Sequence, residues 1–166
     1  MAKKRFGRAI LFLLMTLLLA VAPVAAMAEG CTENLAKEFF TGWSNDMPRL
    51  LATFTDDIVY EDIQVNALVH GKKEVQDFAQ GWFNSSPDIK FTLMSTVISG
   101  DRAAVVWRVN GTQSGDWPGM PASNKPVEVV GVSIMECSDG KIRHNADYYD
   151  FATAMRQMGF LPAPSK

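Results

Sequence analysis

The Asp139-Gly140 dipeptide fixes more of this chain than any other pair of residues. It stands between two runs of apolar and β-branched residues. Both central positions of a type I′ turn need positive φ, and Asp-Gly supplies them. Residues 126–137 and 141–149 are therefore read as the two arms of an antiparallel hairpin. With Asp139 and Gly140 as the loop, Ser138 faces Lys141, Glu136 faces Arg143, Ile134 faces Asn145 and Val132 faces Asp147. Side chains alternate along a strand. Arg143, Asn145, Asp147 and Tyr149 then share a face with Val130, Val132, Ile134 and Glu136. That register sets Asp147 among valines, far from the turn. A carboxylate there costs free energy unless it is paired or protonated. Asp147 is therefore taken as the centre of a site.

The first 28 residues read as a secretory signal peptide. Lys3, Lys4, Arg5 and Arg8 precede an apolar run, and Ala26-Met27-Ala28 forms a small-x-small cleavage site. The apolar run is short for a membrane anchor, the competing reading. Cleavage after Ala28 would leave residues 29–166, 138 of the 166, as a single domain. It removes four basic and no acidic residues, taking the formal net charge from −2 to −6. An acidic chain without basic runs argues against nucleic acid and against an anionic membrane surface as partners. A periplasmic or secreted location follows. An oxidising compartment permits Cys31 and Cys137 to pair, and such a bridge would tie the mature N-terminus to the hairpin. Two unbonded thiols are the alternative. Two histidines, His70 and His144, and no closely spaced cysteine pair give no zinc pattern, so no metal or cofactor is expected.

Leu35, Ala36, Phe39, Phe40 and Trp43 recur at helical spacing. Asp46 caps a short helix starting at Pro48. Thr55-Asp56-Asp57 reads as a loop and residues 58–63 as a strand. Gly71 opens a third helix with Val75, Phe78, Ala79, Trp82 and Phe83 on its apolar face, ended near Ser85-Ser86-Pro87-Asp88. Residues 89–99 and 102–115 read as strands around a Gly100-Asp101 turn, and 116–124 as a Pro/Gly loop holding Trp117 and Met120. Residues 151–158 form a last helix stopped by Gly159 and Pro162. Helices first and curled strands after give an α+β fold. The expected architecture is a cone-shaped barrel of curved antiparallel sheet, closed by the N-terminal helices.

Three strands bring polar residues into apolar surroundings. Tyr60 and Asp62 share one face. Arg108 and Asn110 share another with Val106 and Thr112, opposite Val105, Trp107 and Val109. Asn145 and Asp147 share the third. A buried Arg108 would need Asp147 or Asp62 as its partner. For any single one of these residues a structural ion pair is an equal reading.

Four stretches in order resemble one family. They are Ser86-Pro87-Asp88 before a strand, Gly111-Thr112-Gln113-Ser114-Gly115 with Gly119-Met120-Pro121-Ala122, Asp139-Gly140-Lys141-Ile142 followed by Asp147 and Asp150, and Gln157-Met158-Gly159. Together they resemble the SnoaL-like polyketide (ester) cyclase branch of the nuclear-transport-factor-two-like superfamily. The resemblance implies the cone fold and makes Asp147 the general acid/base. Gln113 stands where that branch often has histidine. Tyr60-Glu61-Asp62, Arg108-Val109-Asn110 and the Asp147-Tyr148-Tyr149-Asp150 ending are also similar to limonene-type epoxide hydrolases. The acid and the amide have changed places, since Asn110 can neither donate nor accept a proton as an acid. Asp62 would have to take over that role.

The resemblance thus implies acid/base chemistry of isomerase, cyclase or hydrolase type on a small apolar substrate. Asp147, Arg108, Tyr60, Asp62 and Asn110 are the candidate catalytic residues. Asp147 is the base, Arg108 its orienting partner, and Tyr60 and Asn110 are donors to the oxygen that gains charge. Trp43, Trp82, Phe83, Trp117, Val132 and Asn145 are expected around the substrate. A binding module with the same cone and no turnover is the competing class. Val105, Trp107 and Val109, placed on the outer face, would make a homodimer surface.

Overall fold

The computed structural model describes residues 30–117 and 119–163, so the expected signal peptide lies outside the described residues. Helix α1 spans Glu33–Trp43 and α2 spans Met47–Ala52. Strand β1, Phe54–Asp62, is followed by a short 3-10 turn and β2, Ala67–His70. Helix α3 is Gly71–Ser85. Then come β3 (Lys90–Ser99), β4 (Arg102–Gln113), β5 (Lys125–Ser138), β6 (Lys141–Tyr149) and α4 (Phe151–Met158). The helix ends follow local chemistry. Thr32 and Asp46 cap α1 and α2 by accepting from Leu35 N and Arg49 N at 3.0 and 3.2 Å. Asp150 caps α4, and Gly159 closes it in the left-handed region at φ 89°.

The expected α+β class and curved sheet are found. The six strands lie in the order β2-β1-β6-β5-β4-β3. The barrel does not close, because β2 and β3 are free edges. The sheet is also not purely antiparallel, since β1 runs parallel to β6. Register shifts at Leu93/Ser95 and Glu136/Cys137 add local twist, which helps curl the sheet. Helices α1 and α3 contribute Phe39, Phe40, Val75 and Ala79 to the core on the concave side. Phe39 meets Phe54 of β1 edge-on at 5.8 Å, and neither ring is exposed. Burying one such ring contributes about 1.5–3 kcal/mol.

Two expectations about elements fail for local reasons. Residues Thr55, Asp56 and Asp57 belong to β1. Their polarity signalled a loop, yet Asp56 and Asp57 are exposed and need no burial. Strand β2 was not foreseen. It is a four-residue edge strand, paired with β1 from Val59↔His70 to Asp62↔Ala67.

The hairpin holds the main correction. Asp139 and Gly140 have φ of 52° and 69°, and Ser138 pairs with Lys141. One step on, Cys137 pairs with Ile142 and Glu136 with His144, leaving Arg143 as the extra residue of a β-bulge. Beyond the bulge, Ser133 faces Asp147 and Val132 faces Tyr148. Asp147 keeps its concave side, but the β5 face beneath it is Val129, Gly131, Ser133 and Met135. Val132 is turned to the convex side and is no part of the pocket. Strand β4 follows β5. Trp107 pairs with Gly131 and Val105 with Ser133, so both point inward, and Trp107 is 3% exposed. The homodimer expected through Val105, Trp107 and Val109 therefore loses the face on which it was drawn. Arg108 lies on the other side, half exposed, with Glu128 as its carboxylate at 3.7 Å.

Cys31 and Cys137 are joined as a disulfide with Cα atoms 5.2 Å apart. Cys31 N also donates to Gly100 O at 3.1 Å. The start of the described chain is thereby fastened to the turn end of the sheet. Among the described residues no helix is long and apolar enough to cross a membrane.

Candidate functional site

The concave side of the sheet holds a cavity of about 100 Å³. Strand alternation decides which polar groups reach it. Tyr60 and Asp62 come from β1, Asp147 and Tyr149 from β6 and Trp107 from β4, while Asn145 of β6 and Ser133 of β5 lie fully buried behind Asp147. The parallel register pairs Tyr60 with Asn145 and Asp62 with Asp147, which brings two carboxylates to one level of the sheet. Asp62 is 4% exposed and Asp147 8%.

Asp147 is held by three side-chain donors. Asn145 Nδ2 donates to Oδ1 at 2.9 Å, Ser133 Oγ donates to the same oxygen, and the Tyr60 hydroxyl donates to Oδ2 in a short contact. Trp107 Nε1 donates to Ser133 Oγ at 2.9 Å. That bond commits the serine proton to Asp147. A carboxylate facing only donors is held in its ionised, accepting form. Asp62 is held differently: Oδ2 accepts from the Tyr149 hydroxyl at 3.0 Å and Oδ1 from Gln64 N at 3.2 Å.

Burial raises the Asp147 pKa above the ordinary carboxylate value, opposed by the bonds from Ser133, Tyr60 and Asn145. Asp62 rises from 3.8 to about 7, first through burial and then through the charge on Asp147. The two form a coupled pair, both pushed above the ordinary carboxylate value, and the charge of one opposes ionisation of the other. Burial and the neighbouring carboxylates likewise push the Tyr60 and Tyr149 hydroxyls up, so both remain proton donors. One ionised and one protonated carboxyl, side by side in an apolar cavity, can take a proton from one atom and give one to another.

The remaining expected residues divide. Trp43, Trp82 and Trp117 line the cavity. Asn110 borders it, but the residue is exposed and shares the outward side of β4 with Arg108. Phe83 is core, packed edge-on against Trp43 at 6.0 Å, and does not line the cavity. Asn145 is fully buried behind Asp147 and supports it without reaching the cavity. His144 pairs with Glu61 at 2.7 Å away from the site. Gln113, at the position where histidine was noted, fastens the loop after β4. Its Nε2 donates to Gly115 O and Pro121 O at 3.0 and 3.2 Å, and its Oε1 accepts from Ser123 N at 2.8 Å. Among the described residues no group of three His, Cys, Asp or Glu side chains is placed to hold a metal.

Sequence reasoning missed Ser133 and the inward Trp107. Only the bulge brings Ser133 opposite Asp147, and no residue type announces it. Gly131 was the available signal for Trp107. A Cβ there would lie 2.4 Å from the indole ring, so glycine is what lets Trp107 cross above β5.

No curated protein matches the chain. Among solved structures it is similar to a protein assigned to the SnoaL-like polyketide cyclases from Jannaschia sp. CCS1. Identity is 20%, coverage 78% of this chain and 92% of that one, and TM-score 0.70. IdmH from Streptomyces antibioticus, assigned as a polyketide cyclase, is 19% identical over 76% and 96% of the two chains, at TM-score 0.66. A protein of ketosteroid isomerase-like fold from Catenulispora acidiphila DSM 44928, in complex with trimethylamine, is 18% identical over 82% and 99%, at TM-score 0.69. At these identities the structures speak for the fold alone. The family described as SnoaL-like polyketide cyclase matches residues 34–158, most of the chain. On that match, the chain belongs to the SnoaL-like polyketide cyclase family.

Proposed function

We propose that this protein carries out cofactor-independent acid/base chemistry on a small, largely apolar carbonyl compound in the cone. Membership of its family fits a function of isomerase or cyclase type. The observation that carries the finer reading is the Asp62–Asp147 pair, in register on adjacent parallel strands and bordering one apolar cavity. In this reading Asp147 takes the proton α to the carbonyl, and protonated Asp62 donates to the oxygen as it gains charge. Tyr60, Ser133 and Asn145 hold the Asp147 carboxylate, and Trp107 positions Ser133. Arg108 has no part, and Tyr60 acts on Asp147 instead of on the substrate oxygen. We further propose that the chain acts after export, with a mature start near Glu29. The Ala26-Met27-Ala28 site and the Cys31–Cys137 disulfide support that.

The test is solvent exchange at carbon. Small hydrophobic ketones are incubated with the protein in D₂O and loss of the α-hydrogen signal is followed by NMR. Exchange above the buffer rate is expected, falling about 10²- to 10⁴-fold in Asp147→Asn. Circular dichroism confirms that the variant is folded. An unchanged rate in the variant refutes the assignment. One observation favours a second reading: three donors already occupy the Asp147 oxygens, leaving little room for a substrate proton. Saturable ketone binding without any exchange would make the protein a binding module.

A further inference from the structure

We infer that the cavity selects a cationic ligand, a small lipophilic ammonium group seated against tryptophan faces beside the two aspartates. The inference rests on the same site as the proposed function and adds the charge of what enters it. Its basis is the set of side chains that line the cavity. All four tryptophans of the chain are there, Trp43, Trp82, Trp107 and Trp117, with Phe91 and Tyr149 between them. Trp82 and Trp117 lie against each other at 4.1 Å, and Trp107 leans on Phe91 at 5.2 Å. Aromatic faces carry partial negative charge and attract cations, most strongly when water is excluded.

The charged groups point the same way. Asp62 and Asp147 are the acidic side chains among the described lining residues, and no lysine, arginine or histidine is among them. The cation that sequence reasoning brought in, Arg108, pairs with Glu128 outside. Asp147 is compensated by neutral donors alone, from Tyr60, Ser133 and Asn145. Like charges at Asp62 and Asp147 oppose each other in a low-dielectric space. An anionic ligand would add a second negative charge beside the one the pair already carries, against negative ring faces. An ammonium ligand supplies the missing countercharge and meets the rings favourably.

Choline and 3,3-dimethylbutan-1-ol make the test, because they share shape and differ in charge. Tryptophan fluorescence reports directly, since every indole lines the cavity. Choline is expected to quench saturably and to bind at least about tenfold tighter than the alcohol. Asp147→Asn should erase that preference and leave the alcohol affinity within a factor of two or so. Trp82→Leu, which removes one ring face from the cavity, serves if the first variant fails to fold, and should shrink the preference by weakening choline more than the alcohol. Equal binding of the two probes, tighter binding of the alcohol, or no saturation by either overturns the inference. So does a preference that survives both substitutions undiminished. Ketone exchange without a cation preference would overturn this inference alone. A cation preference without exchange would remove the acid/base reading and leave this one standing.

Discussion

Replacing Asp62 by asparagine should stabilise the protein, and by an amount that depends on pH. Asp62 is almost fully buried, and its carboxyl rises from 3.8 to about 7, through burial first and the Asp147 charge second. Below 3.8 the group is protonated in the folded and unfolded chain, and it costs nothing. Between 3.8 and about 7 the unfolded chain releases the proton while the folded chain keeps it, so stability falls as pH rises. Above about 7 the loss is complete. At about 1.4 kcal/mol per pH unit, that interval amounts to about 4 kcal/mol. Asparagine has nearly the same shape, keeps an oxygen for Gln64 N, and cannot ionise. The assay is urea unfolding of both proteins at pH 4, 5, 6, 7 and 8 with the disulfide intact, compared as a difference so that other titrating groups cancel. Asp62→Asn should match the parent near pH 4 and exceed it by a few kcal/mol at pH 8. A difference that stays flat across this range, or favours the parent at pH 8, would mean that Asp62 is not held protonated by burial beside Asp147.

Gly131→Ala should cost about 1–3 kcal/mol, read as a lower urea midpoint, because the new Cβ would lie 2.4 Å from the Trp107 ring. Trp107→Phe in the same background should recover part of that loss. Removing the Cys31–Cys137 bridge, which spans 106 residues, should cost about 2–5 kcal/mol, measured by urea unfolding of the double serine variant against the parent.

Much of this fold was legible because its signals are local. Asp139-Gly140 marked the hairpin, Asp46 and Gly159 marked helix ends, and the apolar spacing of Phe39, Phe40 and Trp43 marked α1. The inward direction of Asp147 followed from alternation along β6. What was not legible was one extra residue. The bulge at Arg143 has no sequence signature, yet it shifts β5 by one position and carries β4 with it. Val132 and Arg108 leave the site, and Ser133 and Trp107 enter it, through that single irregularity. A one-residue shift exchanges the two faces of a strand, so an error in register spreads to every neighbour paired beyond it. The parallel pairing of β1 with β6 was equally hidden. It is a long-range contact, and it alone sets Asp62 beside Asp147.

The proposed chemistry needs Asp147 ionised and Asp62 protonated. The pH profile of α-hydrogen exchange tests it most directly. As pH rises through about 7, Asp62 gives up its proton and the acid is lost. The rate should fall on the alkaline side with a midpoint near 7, and show no such fall in Asp62→Asn, whose rate is lower throughout. A parent rate that keeps rising from pH 7 to 9, or an alkaline fall that persists unchanged in Asp62→Asn, would contradict it.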